Sequence, residues 1–218
     1  MSGEEKSIIL AGNADVRVCS RQFDSQEEVI FMNDSGYSLW FYNIDVDYIK
    51  FLHSVDGKVQ YSQGSDYSSK PFLGGFSIDG IRYFVPLSSP KSKHIHWDYE
   101  GDTYIMIHET IREEDRKPKN VIRRQTDEGL EKILAILYFN NMIPAPEGCY
   151  EPVGDFINIR DDLYYDLLRK EYYFCLNIDG KIACKARKLH DAQKEAGVTD
   201  ELCCDFMRLE KAMREYQR

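Results

Sequence analysis

The 218-residue chain lacks the short signatures of several common chemistries. It has no C-x-x-C pair, no G-x-x-x-x-G-K-[ST] phosphate loop, no G-x-S-x-G elbow and no H-E-x-x-H, so none of the reactions those motifs serve is indicated. Its six cysteines are Cys19, Cys149, Cys175, Cys184, Cys203 and Cys204. The last two are adjacent and cannot easily share an unstrained bridge. With no secretory signal apparent, this cysteine usage predicts a reducing, cytoplasmic setting. Apolar runs fall far short of the roughly 20 residues of a membrane span, so no membrane association is expected. Positive charge is also in deficit: 28 Lys and Arg stand against 37 Asp and Glu, a formal net charge of −9. That balance speaks against a general nucleic-acid-coating protein.

What remains is an ordinary soluble composition, 43% hydrophobic and 30% charged, with 15 tyrosines able to fill a core or to stack on bases. The length suits one domain with a modest extension and needs no disulfide or metal to hold a core. The negative average hides two basic stretches. Between Tyr67 and Trp97, Lys70, Arg82, Lys91 and Lys93 oppose a single carboxylate, Asp79. Between Ile111 and Arg124, six cations (Arg112, Arg116, Lys117, Lys119, Arg123 and Arg124) oppose Glu113, Glu114 and Asp115. Each stretch reads either as part of a localised anion site or as solvated loop charge.

Residues 1–38 carry only short apolar clusters and read as an N-terminal extension, weakly structured or forming a small accessory element. Residues 39–218 read as one domain. Leu39 to Ile44 is expected to be a strand, and Asp45 to cap a helix running to Val55 before Asp56-Gly57. Gln60 to Ser69 reads as a loop. A hairpin follows, with strands on either side of an Asp79-Gly80 turn. Pro86 predicts that the return strand lies at an edge or ends there. Gly74-Gly75 inside the strand pattern marks a bulge or close packing. Thr103 to His108 is another strand, Ile133 to Met142 fits either a helix or a strand, and Phe156 to Ile159 reads as a short strand. Helices are expected from Asp161 or Asp162 to about Asn177 and from about Lys181 to Lys194. A last helix is expected to be capped by Thr199, with Leu202, Phe206, Leu209 and Met213 in one stripe. Strands first and helices later predict an α+β fold: a compact, twisted, barrel-like antiparallel sheet with packed C-terminal helices.

Chemistry concentrates at the exit of the hairpin. Ser88, Ser89, Lys91, Lys93 and His94 lie within seven residues after a buried strand. Hydroxyls, ammonium groups and an imidazole there suit phosphate binding and proton transfer; a polar turn following Pro86 is the plainer alternative. His94-x-His96-x-Asp98 would present two imidazoles on one face of a strand, but such alternation arises readily by chance, and no metal site is expected. The Asp79-Gly80 turn pairs Ile78 with Ile81, which brings Lys70 and Lys91 toward the open end of the hairpin.

The run Lys70-Pro71-Phe72-Leu73-Gly74-Gly75 and the run Tyr83-Phe84-Val85-Pro86-Leu87-Ser88-Ser89-Pro90-Lys91 together resemble the ToxN/AbiQ toxins of type III toxin–antitoxin systems. Phe41-Tyr42-Asn43-Ile44 with Tyr48-Ile49-Lys50-Phe51-Leu52 is similar to the start of those proteins, and Asn141-Met142-Ile143-Pro144 to their M-I-P segment. The stretch from Tyr165 to His190 is similar as well. The resemblance spans Leu39 to Asp191. It implies metal-independent cleavage of cellular or phage RNA by attack of a ribose 2′-hydroxyl on its own phosphodiester, leaving a 2′,3′-cyclic phosphate, with no cofactor. The positions it implies for catalysis are Tyr67, Lys70, Ser88, Ser89 and Lys91, and Lys93 and His94 fit the S-P-K-x-K-H variant of the pattern. It further implies inhibition by a structured repeat RNA antitoxin, held in a closed protein–RNA ring, and a part in phage defence. The 38-residue extension departs from the family.

RNA held over a broad surface is expected to meet Arg112, Arg116, Lys117, Lys119, Arg123 and Arg124, together with Lys181, Lys185 and Lys188 on one helix face. Two other classes stay open on the sequence alone: a non-catalytic RNA-binding module and a protein-interaction domain.

Overall fold

A computed structural model of the chain describes residues 17–23, 26–32, 39–61, 71–112, 122–159, 162–197 and 200–216. The elements in chain order are strands β1 (Arg17–Phe23), β2 (Gln26–Met32) and β3 (Trp40–Ile44), helix α1 (Val46–Val55), and strands β4 (Phe72–Ile78) and β5 (Ile81–Ser88). Strands β6 (Glu100–Gly101), β7 (Tyr104–Thr110), β8 (Arg123–Thr126), β9 (Gly129–Tyr138), β10 (Ile143–Pro144) and β11 (Tyr150–Pro152) follow. Helices α2 (Leu163–Leu176), α3 (Asp179–Ala196) and α4 (Phe206–Glu215) complete the chain. Single 3-10 turns occupy Ser92–His96 and Phe139–Asn141. Within the N-terminal extension, β1 and β2 pair antiparallel as a small accessory hairpin.

Local chemistry explains most boundaries. The Asp45 carboxylate accepts the N–H groups of Asp47 and Tyr48 (2.8 and 3.1 Å) and starts α1. Asp162 does the same for α2 through Tyr164 and Tyr165. Gly197, at φ 63°, ends α3 in the left-handed conformation. Asp79 and Gly80 have φ of 50° and 81°, as a two-residue hairpin turn of primed type requires.

The main sheet is antiparallel and curls into a half-barrel in the order β11-β3-β4-β5-β9-β7-β6, with β10 added to β5 and β8 to β9. Its large core, which includes Phe41, Leu73, Tyr83, Phe156, Phe206 and Leu209, joins the sheet to the helices. A second, smaller cluster of Met106, Ile133 and Ile136 packs with Trp97, Tyr104 and Tyr138. Strand β9 contributes to both clusters, so Ile133 to Leu137 are all buried. A strand covered on both faces carries a continuous apolar run, which is why its sequence fitted a helix equally well.

Three expectations are corrected. Of the two readings of Pro86, the edge is excluded, because strand β5 is internal to the sheet, while the strand does end shortly after it, at Ser88. The Leu87 N–H donates to the Pro71 carbonyl (3.3 Å), so the nitrogen of Pro86 faces the opposite side. There β5 passes from its partner β10, at Tyr83 and Phe84, to β9, at Leu87 and Ser88, and the missing donor falls at the change of neighbour. Phe156 to Ile159 form a turn and not a strand. The buried Phe156 ring packs on Trp40 and Tyr172, and Arg169 of α2 takes the Phe156 carbonyl that a ladder would have used. The last helix is capped by Asp205, whose side chain accepts the Arg208 N–H (2.9 Å). Thr199 lies outside the described residues. Leu202 is exposed and precedes the helix, in a turn closed by the Cys203 N–H on the Asp200 carbonyl; Cys204 N–H is then tied to Asn140 and Asp205 N–H to Asp56.

The register between β4 and β5 shifts between Leu73 and Phe76, so the two glycines do mark a bulge. Gly75 has φ 111°, and a Cβ on Gly74 would stand 2.7 Å from the Phe84 ring and 2.9 Å from that of Tyr42. Those rings pack edge-to-face, leaving neither free to retreat. Gly74→Ala is expected to cost about 1–3 kcal/mol through overpacking. Thermal unfolding is the check, and a melting temperature equal to the parent's would show that the bulge relaxes freely.

Candidate active site

Strand β5 carries the S-S-P-K segment out of the sheet. Ser88 is half-buried at the last paired position, and Ser89 and Lys91 are exposed. Proline at position 90 restricts its own φ and the conformation of Ser89, so both hydroxyls and the Lys91 stem leave the strand on a stiff backbone. The Ser88 hydroxyl donates to Gln60 Oε1 (3.2 Å), and Gln60 Nε2 donates to Asn141 Oδ1 (3.2 Å). Asn141 Nδ2 in turn donates to the Lys58 carbonyl (3.0 Å). The N-M-I-P segment therefore stands beside the S-S-P-K turn. Tyr67 and Lys70 lie outside the described residues; Pro71, the residue after Lys70, is placed beside Leu87 by the backbone bond above.

After Lys91 the chain winds into the 3-10 turn and folds His94 back into the protein, 1% exposed. The Lys91 backbone N–H donates to His94 Nδ1 (2.9 Å), and the His94 N–H donates to the Lys91 carbonyl (2.9 Å). His94 Nε2 meets the Tyr138 hydroxyl at 3.0 Å. The ring also packs on Trp97, with centroids 4.5 Å apart, and the Lys93 ammonium lies 5.3 Å from the Trp97 centroid. Burial, with Lys93 and Lys91 nearby, holds the His94 pKa below the ordinary histidine value. The segment is not a strand and His96 is exposed, so the arrangement of His94, His96 and Asp98 on one strand face does not form. Among the described residues, no group of three or more His, Cys, Asp or Glu side chains is placed to hold a metal.

The remaining candidate cations divide. Arg124 is turned inward: its Nε binds Glu131 (3.0 Å), its NH1 the Trp97 carbonyl (2.7 Å), and its guanidinium stacks 4.1 Å from the Tyr99 centroid. It braces the Lys91 turn from behind. Arg123 pairs with Lys132 across β8 and β9, and Arg112 is exposed after β7. Arg116, Lys117 and Lys119 lie outside the described residues. Lys181 and Lys185 share one face of α3 and both bind Glu100, with Lys185 at 2.8 Å. Those two ammonium groups hold the Glu100 carboxyl below the usual carboxylate range. Lys188 is exposed.

Sequence reasoning missed Gln60, Tyr138 and Trp97. Gln60 and Tyr138 reach the S-S-P-K turn only through the tertiary fold, which no local pattern encodes, whereas Trp97, three residues beyond His94, closes the same turn and could have been found from its spacing. Chemically, the turn offers two hydroxyls and an ammonium group on a stiff support, a set suited to a phosphodiester.

The family model for the ToxN toxin of type III toxin–antitoxin systems matches residues 40–214. The endoribonuclease ToxN of Bacillus thuringiensis subsp. kurstaki is 27% identical over 186 residues, covering 81% of this chain and 84% of the relative. That of Pectobacterium atrosepticum is 27% identical over 178 residues, covering 81% and 92%. A chain from a solved bacterial antiviral system regulated by a processed non-coding RNA superposes with a TM-score of 0.62 at 26% identity, covering 82% of this chain and 99% of that one. With the family match running from the first strand of the main sheet to the last helix, the chain belongs to the ToxN toxin family of type III toxin–antitoxin systems.

Proposed function

We propose that this protein is a cytoplasmic endoribonuclease toxin, restrained by a repeat RNA antitoxin and acting in phage defence. The observation that carries the reading is the exposed Lys91 beside Ser88 and Ser89, at a strand end whose backbone is pinned by a buried histidine. The relatives' names support the activity, and the non-coding RNA of the solved antiviral system supports an RNA antitoxin. Among the described residues, no helix is long and apolar enough to cross a membrane.

The reaction is an internal transfer. The ribose 2′-oxygen attacks the adjacent phosphorus and gives up its proton, the bond from phosphorus to the 5′-oxygen breaks, and the departing oxygen takes a proton. A 2′,3′-cyclic phosphate remains. Lys91 and Lys70 would neutralise the equatorial oxygens, with Ser88, Ser89 and Tyr67 donating hydrogen bonds or passing protons. The exposed Arg112 and Lys188, with Arg116, Lys117, Lys119 and Arg123, would extend the RNA surface. Lys181 and Lys185 would join it by releasing Glu100. Alternation of protein and RNA would close the complex into a ring.

The test uses purified protein, a short unstructured labelled RNA and excess EDTA. Cleavage with a cyclic-phosphate end is expected, with no need for added metal. Retention of RNA without cleavage would replace this reading with a binding module, and neither outcome with a protein-interaction domain. Antitoxin binding should weaken steeply with salt, because each neutralised phosphate releases counterions. A flat salt profile would sink the electrostatic part.

A further inference from the structure

The hydrogen bonds around His94 assign its protonation. A backbone N–H can only donate, so Nδ1, which receives the Lys91 N–H at 2.9 Å, carries no hydrogen. A neutral ring then bears its hydrogen on Nε2, and that N–H donates to the Tyr138 hydroxyl 3.0 Å away. One buried imidazole thereby ties the backbone of the exposed Lys91 to the end of β9. The same turn is held at its other end by Arg124 on the Trp97 carbonyl. Lys91 is exposed, and among the described residues its ammonium group has no ion-pair partner, so its position rests on its backbone.

We propose that His94 is a positioning residue: as the neutral Nε2–H form it sets the Lys91 backbone, and with it the ammonium group, for phosphodiester cleavage. This rests on the reading that Lys91 meets the phosphate. His94 is thereby removed from the list of groups that act on the RNA, since its two nitrogens are already engaged inside the protein. The charged groups bearing on it are Lys93 and Lys91 of its own turn, and the titratable group of the strand packed against it is Tyr138. Burial also pushes the Tyr138 phenol above its ordinary value, so it stays a neutral acceptor. A proton added at Nδ1 would face the Lys91 N–H and break the bond. His94 ordinarily titrates near 6.5 and is held lower here, so the turn is intact at neutral pH and fails as the solution is made acid.

The experiment compares cleavage of the short RNA by the parent, His94→Asn, His94→Gln, His94→Ala and Lys91→Ala, each with its circular dichroism, melting temperature, kcat and KM. Asparagine places an acceptor where Nδ1 stands; glutamine reaches only the Nε2 position. His94→Asn is expected to keep kcat within a few-fold of the parent and to lose the steepest part of the acid decline. His94→Gln and His94→Ala are expected to lose about tenfold or more in kcat with little change in KM, as misplacement of a catalytic group does. If His94→Ala does not fold, the Asn and Gln pair decides. Equal losses in Asn and Gln, or a His94→Ala protein that cleaves like the parent with its acid limb unchanged, overturn the inference. Lys91→Ala separates the two levels. Its retention of full activity would overturn the proposed site, whereas its inactivity beside fully active His94 variants would overturn the positioning role alone.

Discussion

Lys91→Ala and Ser89→Ala are each expected to lower the rate of RNA cleavage about a hundredfold or more, while leaving the fold and the affinity for antitoxin RNA nearly unchanged. Lys91 is exposed, so its removal opens no cavity and strands no buried partner. The loss would fall on the transition state, where charge gathers on the equatorial phosphate oxygens and a fixed ammonium group counts most. Lys91→Arg is informative beside it. A guanidinium keeps the charge but spreads it over a planar fork, so partial recovery is expected if the lysine acts as a clamp and none if it transfers a proton. Cleavage within a few-fold of the parent by folded Lys91→Ala and Ser89→Ala proteins would place the site elsewhere.

Glu210→Ala is expected to destabilise the protein by about 3–5 kcal/mol, because it removes the shared acceptor of a buried network. Glu210 Oε1 receives the Tyr83 hydroxyl of β5 (2.8 Å) and meets His190 Nε2 of α3 (2.9 Å). It thus joins the two last helices to the strand that carries the proposed catalytic turn. Burial and the neighbouring carboxylate push the Tyr83 phenol well above its ordinary range, so it remains a donor throughout any workable assay. The expected fall in melting temperature is on the order of 10 °C for a chain of this size. Arg214→Ala is the control. Arg214 also binds Glu210, at 3.1 Å, but its side chain is 60% exposed, so its loss should cost only about 0.5 kcal/mol. Equal melting temperatures for the two variants would show that the buried acceptor contributes little.

Features decided by neighbours in sequence were legible before the structure. Asp45, Asp162 and the Asp79-Gly80 pair each satisfy or redirect backbone within a few residues, and each sits where expected. Features decided by distant partners were not. Phe156 to Ile159 has a strand's composition, yet the ring of Phe156 finds Trp40 and the turn follows. Pro86 argued for an edge or a strand end, and the choice stayed open because sequence cannot show a strand changing partners along its length. In the site, Ser88, Ser89 and Lys91 stood out by their clustering after a strand together with the resemblance to the family. The burial of His94 against Tyr138, 44 residues on, and the bond from Ser88 to Gln60, 28 residues back, required the sheet to be assembled. Similarly, Lys181 and Lys185 do share a helix face as their spacing implies, but only the folded chain brings Glu100 to them.

The support of the Lys91 turn by β8 and β9 bears on how such a protein is made. On a ribosome, Ser89 and Lys91 are polymerised well before Arg124 and Tyr138, the residues that brace them. A nascent or prematurely terminated chain would hold the proposed catalytic side chains on an unbraced segment, with its histidine free to solvent. Such fragments are expected to be inert, so the messenger from which the toxin is translated is spared by its own unfinished copies.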